Sequence, residues 1–325
     1  MSYQRMALRG LATIRLQRYR LLAALSTSTL LFLPAVIIAL SGLPAVWIFP
    51  FTLTAAYAMM VALLADRLRL ASLLGLPAMQ LLGLATATSS WLLLPLLATT
   101  LLLMAAAARS GLHKGLQFWV FCLLLGNMQP PLPLPYWLHG GIALLGAAYG
   151  LLLARFGLRG WQRVLPGASR QDTWRYAWHL LLWGCLSWLA AARWHLPHAW
   201  WLPVLVVGII DPSPKRMIWL LKERVYGTFI GCLLAALLAW WQPPAAIHML
   251  LLCLTLTIAL MLMQHSFRWF IAGLTLLVLS VMPVEQVQHG VLERIADTIL
   301  LGVLLGSLAW WLEMGLQRQS HDNTC

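Results

Sequence analysis

The stretch Asp211-Pro212-Ser213-Pro214-Lys215-Arg216 is where this sequence comes nearest to chemistry. Asp211 or Ser213 can cap a following helix, with Pro214 in its first turn. A helix that opens there presents free backbone N–H groups and a positive dipole end, flanked by Lys215 and Arg216. Such an end suits a small organic anion, although the same residues also serve as a cap and as charges that set topology. Arg224 follows at the edge of the next apolar run, one turn before Gly227 and Thr228. Its surroundings, Glu223-Arg224-Val225-Tyr226-Gly227-Thr228, are echoed by Glu293-Arg294-Ile295-Ala296-Asp297-Thr298. An unpaired carboxylate at membrane depth is costly, so Asp297 is expected to be paired, protonated or facing water. Arg294, three residues earlier on the same helix face, is its natural partner. A coupling role and a plain ion pair are both open for that couple. Asp211, Ser213, Lys215, Arg216, Arg224, Thr228, Arg294, Asp297 and Thr298 are therefore the candidate substrate-path residues.

No other chemistry stands out. The sequence has no nucleotide-binding, zinc-protease or nucleophile-elbow motif, and no convergent nucleophile, base and acid, so an enzyme is not expected. Cys122, Cys185, Cys232 and Cys253 fall inside apolar runs and Cys325 is the last residue. Without metal-ligand spacing they read as small apolar side chains, and no metal or other cofactor is implied.

The elements that must position these residues are membrane helices. Hydrophobic residues make up 61% of the 325, charged residues only 10%, and the mean hydropathy is +0.81. A water-soluble fold cannot hide that much apolar surface, whereas a bilayer solvates it directly. The formal charge of +13 does not indicate nucleic-acid binding, because the basic residues sit in short loops between apolar runs. Candidate spans fall near 22–40, 44–64, 70–88, 91–108, 115–129, 136–154, 176–193, 197–211, 225–241, 246–263, 268–283 and 295–312. With the N-terminus in the cytoplasm, all of the 22 lysines and arginines except Arg193 and Arg294 lie on the cytoplasmic side. Both termini are thus expected inside. Arg268 and His265 read as anchors for the start of the eleventh span. Trp47, Trp200, Trp201, Trp240, Trp241, Trp310 and Trp311 fall near span ends, as aromatic belts do.

The expected fold is all-α, about twelve transmembrane helices arranged as two six-helix repeats. Leu43-Pro44-Ala45-Val46-Trp47-Ile48-Phe49-Pro50 lines up with Leu196-Pro197-His198-Ala199-Trp200-Trp201-Leu202-Pro203. Leu144-Leu145-Gly146 with Gly150 lines up with Leu300-Leu301-Gly302 with Gly306. The chain therefore divides into a basic N-terminal segment (1–21), without a cleavable signal and able to lie on the inner leaflet, an N-terminal half (22–154), a basic linker (155–175), a C-terminal half (176–312) and a tail (313–325). The Glu-Arg echo recurs three spans later, at the opening of the twelfth span near the outer side, which suggests an inverted three-plus-three repeat in the C-terminal half. Gly227, Gly231, Gly302 and Gly306 read as small-residue stripes for close helix packing.

From about 176 to 312 the sequence resembles the fusaric acid resistance (FUSC) family. The residues that carry the resemblance are His198-Ala199-Trp200-Trp201, Asp211-Pro212-Ser213, Arg224-Val225-Tyr226-Gly227-Thr228 with Gly231, and Arg294-Ile295-Ala296-Asp297-Thr298 with Gly302. The resemblance implies an exporter of aromatic or other organic acids in a bacterial inner membrane, forming a homo-oligomer, with a periplasmic adaptor as a candidate partner. The plant aluminium-activated malate channels look like distant relatives, which keeps a passive anion channel open. A non-transporting scaffold or accessory subunit is the third reading. Longer family members carry sizeable cytoplasmic domains after each helix bundle, and here only the linker and a short tail stand in their place.

Overall fold

The computed structural model describes residues 21–306 except for position 35, 39–40, 42–47, 88–89, 128–134, 159–164, 195–200, 263–265, 281–286, 301 and 305. Twelve helices longer than a single turn appear among the described residues, and no strand does. They are α1 (Leu21–Ile38), α2 (Ile48–Leu64), α3 (Arg69–Ala85), α4 (Ser90–Ala107), α5 (His113–Asn127) and α6 (Tyr136–Gly157). Then come α7 (Arg170–Arg193), α8 (Trp201–Ile209), α9 (Pro214–Trp241), α10 (Ala245–Leu262), α11 (Phe267–Ser280) and α12, which covers 287–300.

The chain is a multi-pass membrane protein by the composition of its helices. Among the described residues, five segments are long and apolar enough to cross a bilayer: Leu21–Ile38, Asp66–Ala85, Trp91–Ser110, Tyr136–Gly157 and Pro214–Trp241. Pro50–Leu64, Leu250–Leu262 and Phe267–Ser280 are apolar but shorter. Of the other helices, α7 has 24 residues but is not apolar enough, and α5, with 15, is too short. With 9 residues, α8 rises only about 14 Å against a hydrocarbon core of about 30 Å. An apolar run in the sequence fixes what a segment avoids, not how far its helix extends. Large side chains such as Leu70 (77%), Trp91 (78%) and Leu233 (62%) stand exposed on the outside. Water would penalise that surface and lipid would not.

Several helix boundaries depart from the sequence reading, with consequences for the candidate residues. α9 opens at Pro214, so Arg224 lies well inside that helix rather than at its edge. α12 is already helical at 287, so Arg294 and Asp297 also lie inside a helix and do not open it. Gln288, His289 and Glu293 suggest a loop by polarity, but none of them breaks a helix. α7 begins at Arg170, within the expected linker, because Ser169 caps it. The Asp172 backbone N–H donates to the Ser169 hydroxyl oxygen at 3.1 Å, and that hydroxyl donates to the Asp172 carboxylate at 2.7 Å. Ser169→Ala should destabilise the protein by about 1 kcal/mol, read as faster amide exchange at Asp172 and Thr173. The linker is also tied to the turn between α4 and α5, where the Ala168 N–H donates to the Ala108 carbonyl at 2.9 Å.

The helices on either side of the linker do not stand apart as separate bundles. α7 packs on α4, and α8 packs on both α5 and α7. One core therefore runs through Leu97 and Met104 of α4, Val120 and Leu124 of α5, Tyr176 and Leu180 of α7, and Val206 and Ile210 around the end of α8. A second core joins Ala24, Met59, Leu63 and Leu153 to Leu260 of α10. The short helix α8 is thus walled in: every residue from Trp201 to Ile210 is buried. A buried nine-residue helix with no charge of its own is a rigid post on which flanking charged side chains can be hung.

Candidate functional site

Charged side chains gather along α8. At its end, Asp211 is buried, and one oxygen (Oδ2) faces two cations, Lys114 Nζ at 3.6 Å and Arg216 Nε at 3.4 Å. Its other oxygen, Oδ1, accepts the Ser213 N–H at 3.2 Å. Asp211 therefore does not cap a helical N–H of α9. Ser213 occupies the N-cap position, with Pro214 following it, but its side chain makes no cap hydrogen bond. The expected open helix end is thus already faced by a carboxylate of the chain itself. Ser213 and Lys215 are exposed and do not join the cluster.

One turn back along α8, Gly208 makes room for Arg224. A Cβ on Gly208 would lie 2.5 Å from Arg224 Nη1 and 3.5 Å from Gln117 Nε2. Arg224 is buried, its Nε has no hydrogen-bond partner, and no carboxylate among the described residues comes within ion-pair distance of it. It lies close enough to Arg294 for the two charges to repel. At the far end of α8, Arg294 is buried with its guanidinium carbon 4.1 Å from the centre of the Trp201 ring. Its Nε and Nη1 make no hydrogen bond, while Asp297 and Glu293 supply attractive charge from the same helix. Asp297 thus acts on Arg294 through its charge, together with Glu293. Thr228 and Thr298 are buried too, Thr298 with its hydroxyl unpartnered.

Read along α8, Arg216 and Lys114, then Arg224, then Arg294 form a file of cations. Lys114 feels both Arg216 and Arg224, and Arg224 feels Arg294. Beside the file lies an aromatic wall from the N-terminal helices. Tyr57 is within electrostatic reach of Arg294, and its ring lies 5.2 Å from Phe118 and 6.1 Å from Phe121. Like charges buried side by side are costly, and the arrangement is stable only with compensation from carboxylates, dipoles or a bound anion.

Lys114, Gln117, Tyr57 and Trp201 escaped the sequence reading. By sequence position Lys114 reads as a topology charge and Trp201 as part of an aromatic belt. The latter is wrong: Trp201 is 0% exposed, whereas Trp240 (84%) and Trp241 (58%) do stand outside. A lone amide in an apolar run, Gln117, was the one available signal. Trp47, Trp200, Trp310, Trp311, His198 and His265 lie outside the described residues. Gly227 and Gly231 of α9 lie against the backbone of α11, at the Arg268 and Ala272 carbonyls. Gly302 and Gly306 face Val225 and Leu221 of α9 more loosely, at 3.7 and 3.4 Å. Arg268 is half-buried, donates from Nη2 to Glu223 Oε1 at 2.8 Å, and so ties α11 to α9.

The helices that hold Arg224 and Arg294 fall within the part of the chain that matches a known family. Residues 186–309 match the model of the family described as fusaric acid resistance protein-like. No curated protein and no solved structure matches the chain. The resemblance seen from about 176 to 312 therefore holds over 186–309, a stretch that includes α8 to α12 and leaves out Tyr57, Lys114 and Gln117.

Proposed function

We propose that this protein exports small aromatic or other organic acids across a bacterial inner membrane, driven by an ion gradient. The observation that carries the reading is the buried pair Arg224 and Arg294, whose Nε atoms, together with Arg294 Nη1, have no hydrogen-bond acceptor. An organic carboxylate would complete those donors and relieve the repulsion between the two guanidiniums. The Trp201 ring beneath Arg294 and the Tyr57–Phe118–Phe121 wall favour a ligand with an aromatic body. The family match over the same helices is consistent with a transporter.

On this reading both termini are cytoplasmic, Asp211 with Arg216 mark the inner end of the path, and Asp297 lies towards the outer end. The twelve helices descend from two six-helix halves. A homo-oligomer and a periplasmic adaptor complete the proposal for its partners.

The continuous file of cations favours one second reading, a passive anion channel. One experiment separates the two. In inverted membrane vesicles, uphill accumulation of an aromatic acid should depend on this protein and collapse when a protonophore dissipates the gradient. Protein-dependent flux that only ever runs down the anion's electrochemical gradient would establish the channel, and no protein-dependent flux would remove both.

A further inference from the structure

The junction of α5, α7 and α9 contains more polar surface than its ion pairs use. Asp211 Oδ2 lies 3.6 Å from Lys114 and 3.4 Å from Arg216, longer than the spacing of about 2.8 Å at which charge-assisted hydrogen bonds are strong. That oxygen has no hydrogen-bond partner of good geometry. Two cations share one buried carboxylate, Lys114 from within and the part-exposed Arg216 from the rim, so one positive charge is left over beside it. Next to it stands His113, 3% exposed, with neither ring nitrogen partnered. The Tyr176 ring meets it edge-on at 5.7 Å, is 1% exposed, and has an unpartnered hydroxyl. Both side chains are within electrostatic reach of Asp211. A purely structural ion pair would be expected to saturate such buried donors, because each unpaired one costs free energy.

We propose that Lys114, Arg216, His113 and Tyr176 form a binding station for a substrate carboxylate, and that the Asp211 side chain occupies it as a tethered stand-in. An aromatic monocarboxylate displaces the Asp211 carboxylate and takes over its two cations, with the Tyr176 hydroxyl and one His113 N–H as further donors. The station rests on the anion-path reading above and adds an inner site, next to Arg224, at which the path is held shut until a ligand arrives. Asp211 lies in the chain between α8 and α9 and reaches α5 through Lys114, so its release would loosen the start of α9 from α5 without breaking a helix.

The test titrates benzoate into the purified full chain in detergent micelles by calorimetry, with benzamide as the uncharged control. A station that is closed at least nine-tenths of the time weakens apparent affinity at least about tenfold. Asp211→Asn should therefore bind benzoate at least about tenfold more tightly than the natural protein, with no gain for benzamide. Asp211→Ser, which can still accept the Ser213 N–H, is the second neutral variant should the first not fold, and Asp211→Glu should keep the natural affinity. Adding Lys114→Met to either neutral variant should remove the gain. If both neutral variants bind benzoate no better than the natural protein, Asp211 is a structural ion-pair partner and the station does not exist. That result leaves the path intact as long as benzoate binding still depends on Arg224. An Arg224-independent affinity would instead remove the path, and a gain in the Asp211 variants would still be readable as a separate site.

Discussion

Arg224→Met is expected to lower the flux of an aromatic anion by at least about tenfold while leaving the melting temperature unchanged or raised. The two halves of that expectation have separate causes. Hydrogen bonds to a charged group contribute about 1.5–3 kcal/mol each, so a substrate carboxylate that loses one guanidinium loses roughly tenfold or more in binding. Stability moves the other way because no carboxylate among the described residues pairs with Arg224, and Arg294 repels it. Methionine of similar length removes a buried, uncompensated charge and keeps the packing against Gly208. Flux and thermal melting measured on the same preparation separate the outcomes. A variant that transports normally would remove Arg224 from the path, and a variant that melts early would make it a structural residue.

The sequence and the structure agree best where the physics is local. Hydropathy alone gives a membrane protein built of helices, because no other element satisfies its backbone inside lipid except a closed barrel. Pro214 as a first-turn residue is equally legible, since its ring fixes φ and removes a donor the helix does not need there. Polarity is a poorer guide to boundaries than helix breaking, since Gln288 to Glu293 are polar in part and yet helical. Arg224 and Arg294 could be singled out because a charge in an apolar run is rare whatever the fold. Their neighbours could not, because Tyr57, Gln117 and Trp201 become neighbours only when α2, α5 and α8 pack together. Lys114 illustrates the same limit: a lysine after a loop satisfies the positive-inside rule whether or not its ammonium turns back to a buried Asp211.

The four glycines that looked alike in the sequence should respond differently to a single added methyl group. At Gly227 a Cβ would lie 2.5 Å from the Arg268 carbonyl oxygen and 2.9 Å from Ile271 Cβ, and at Gly231 it would lie 2.6 Å from the Ala272 carbonyl oxygen. These are backbone and branch-point atoms of α11, which cannot rotate away, so the two helices would have to separate by about 1 Å to restore normal contact. Overpacking of that kind costs about 1–3 kcal/mol per site, and valine should exceed alanine. Gly227→Val and Gly231→Val are therefore expected to lower the melting temperature in detergent by on the order of 5 °C or more. At Gly302 the nearest atom is a Val225 methyl at 3.7 Å, an ordinary contact. There alanine adds packing and removes the helix-interior penalty of glycine, about 1 kcal/mol, so Gly302→Ala should melt at or above the natural temperature. The strain at Gly227 also reaches the proposed path, because Arg224 sits one turn earlier on the same helix and the Arg268–Glu223 bond spans the same interface. Gly227→Ala should accordingly lose anion flux as well as stability, whereas Gly302→Ala should lose neither. Equal tolerance at all four positions would mean that α9 and α11 do not meet backbone to backbone.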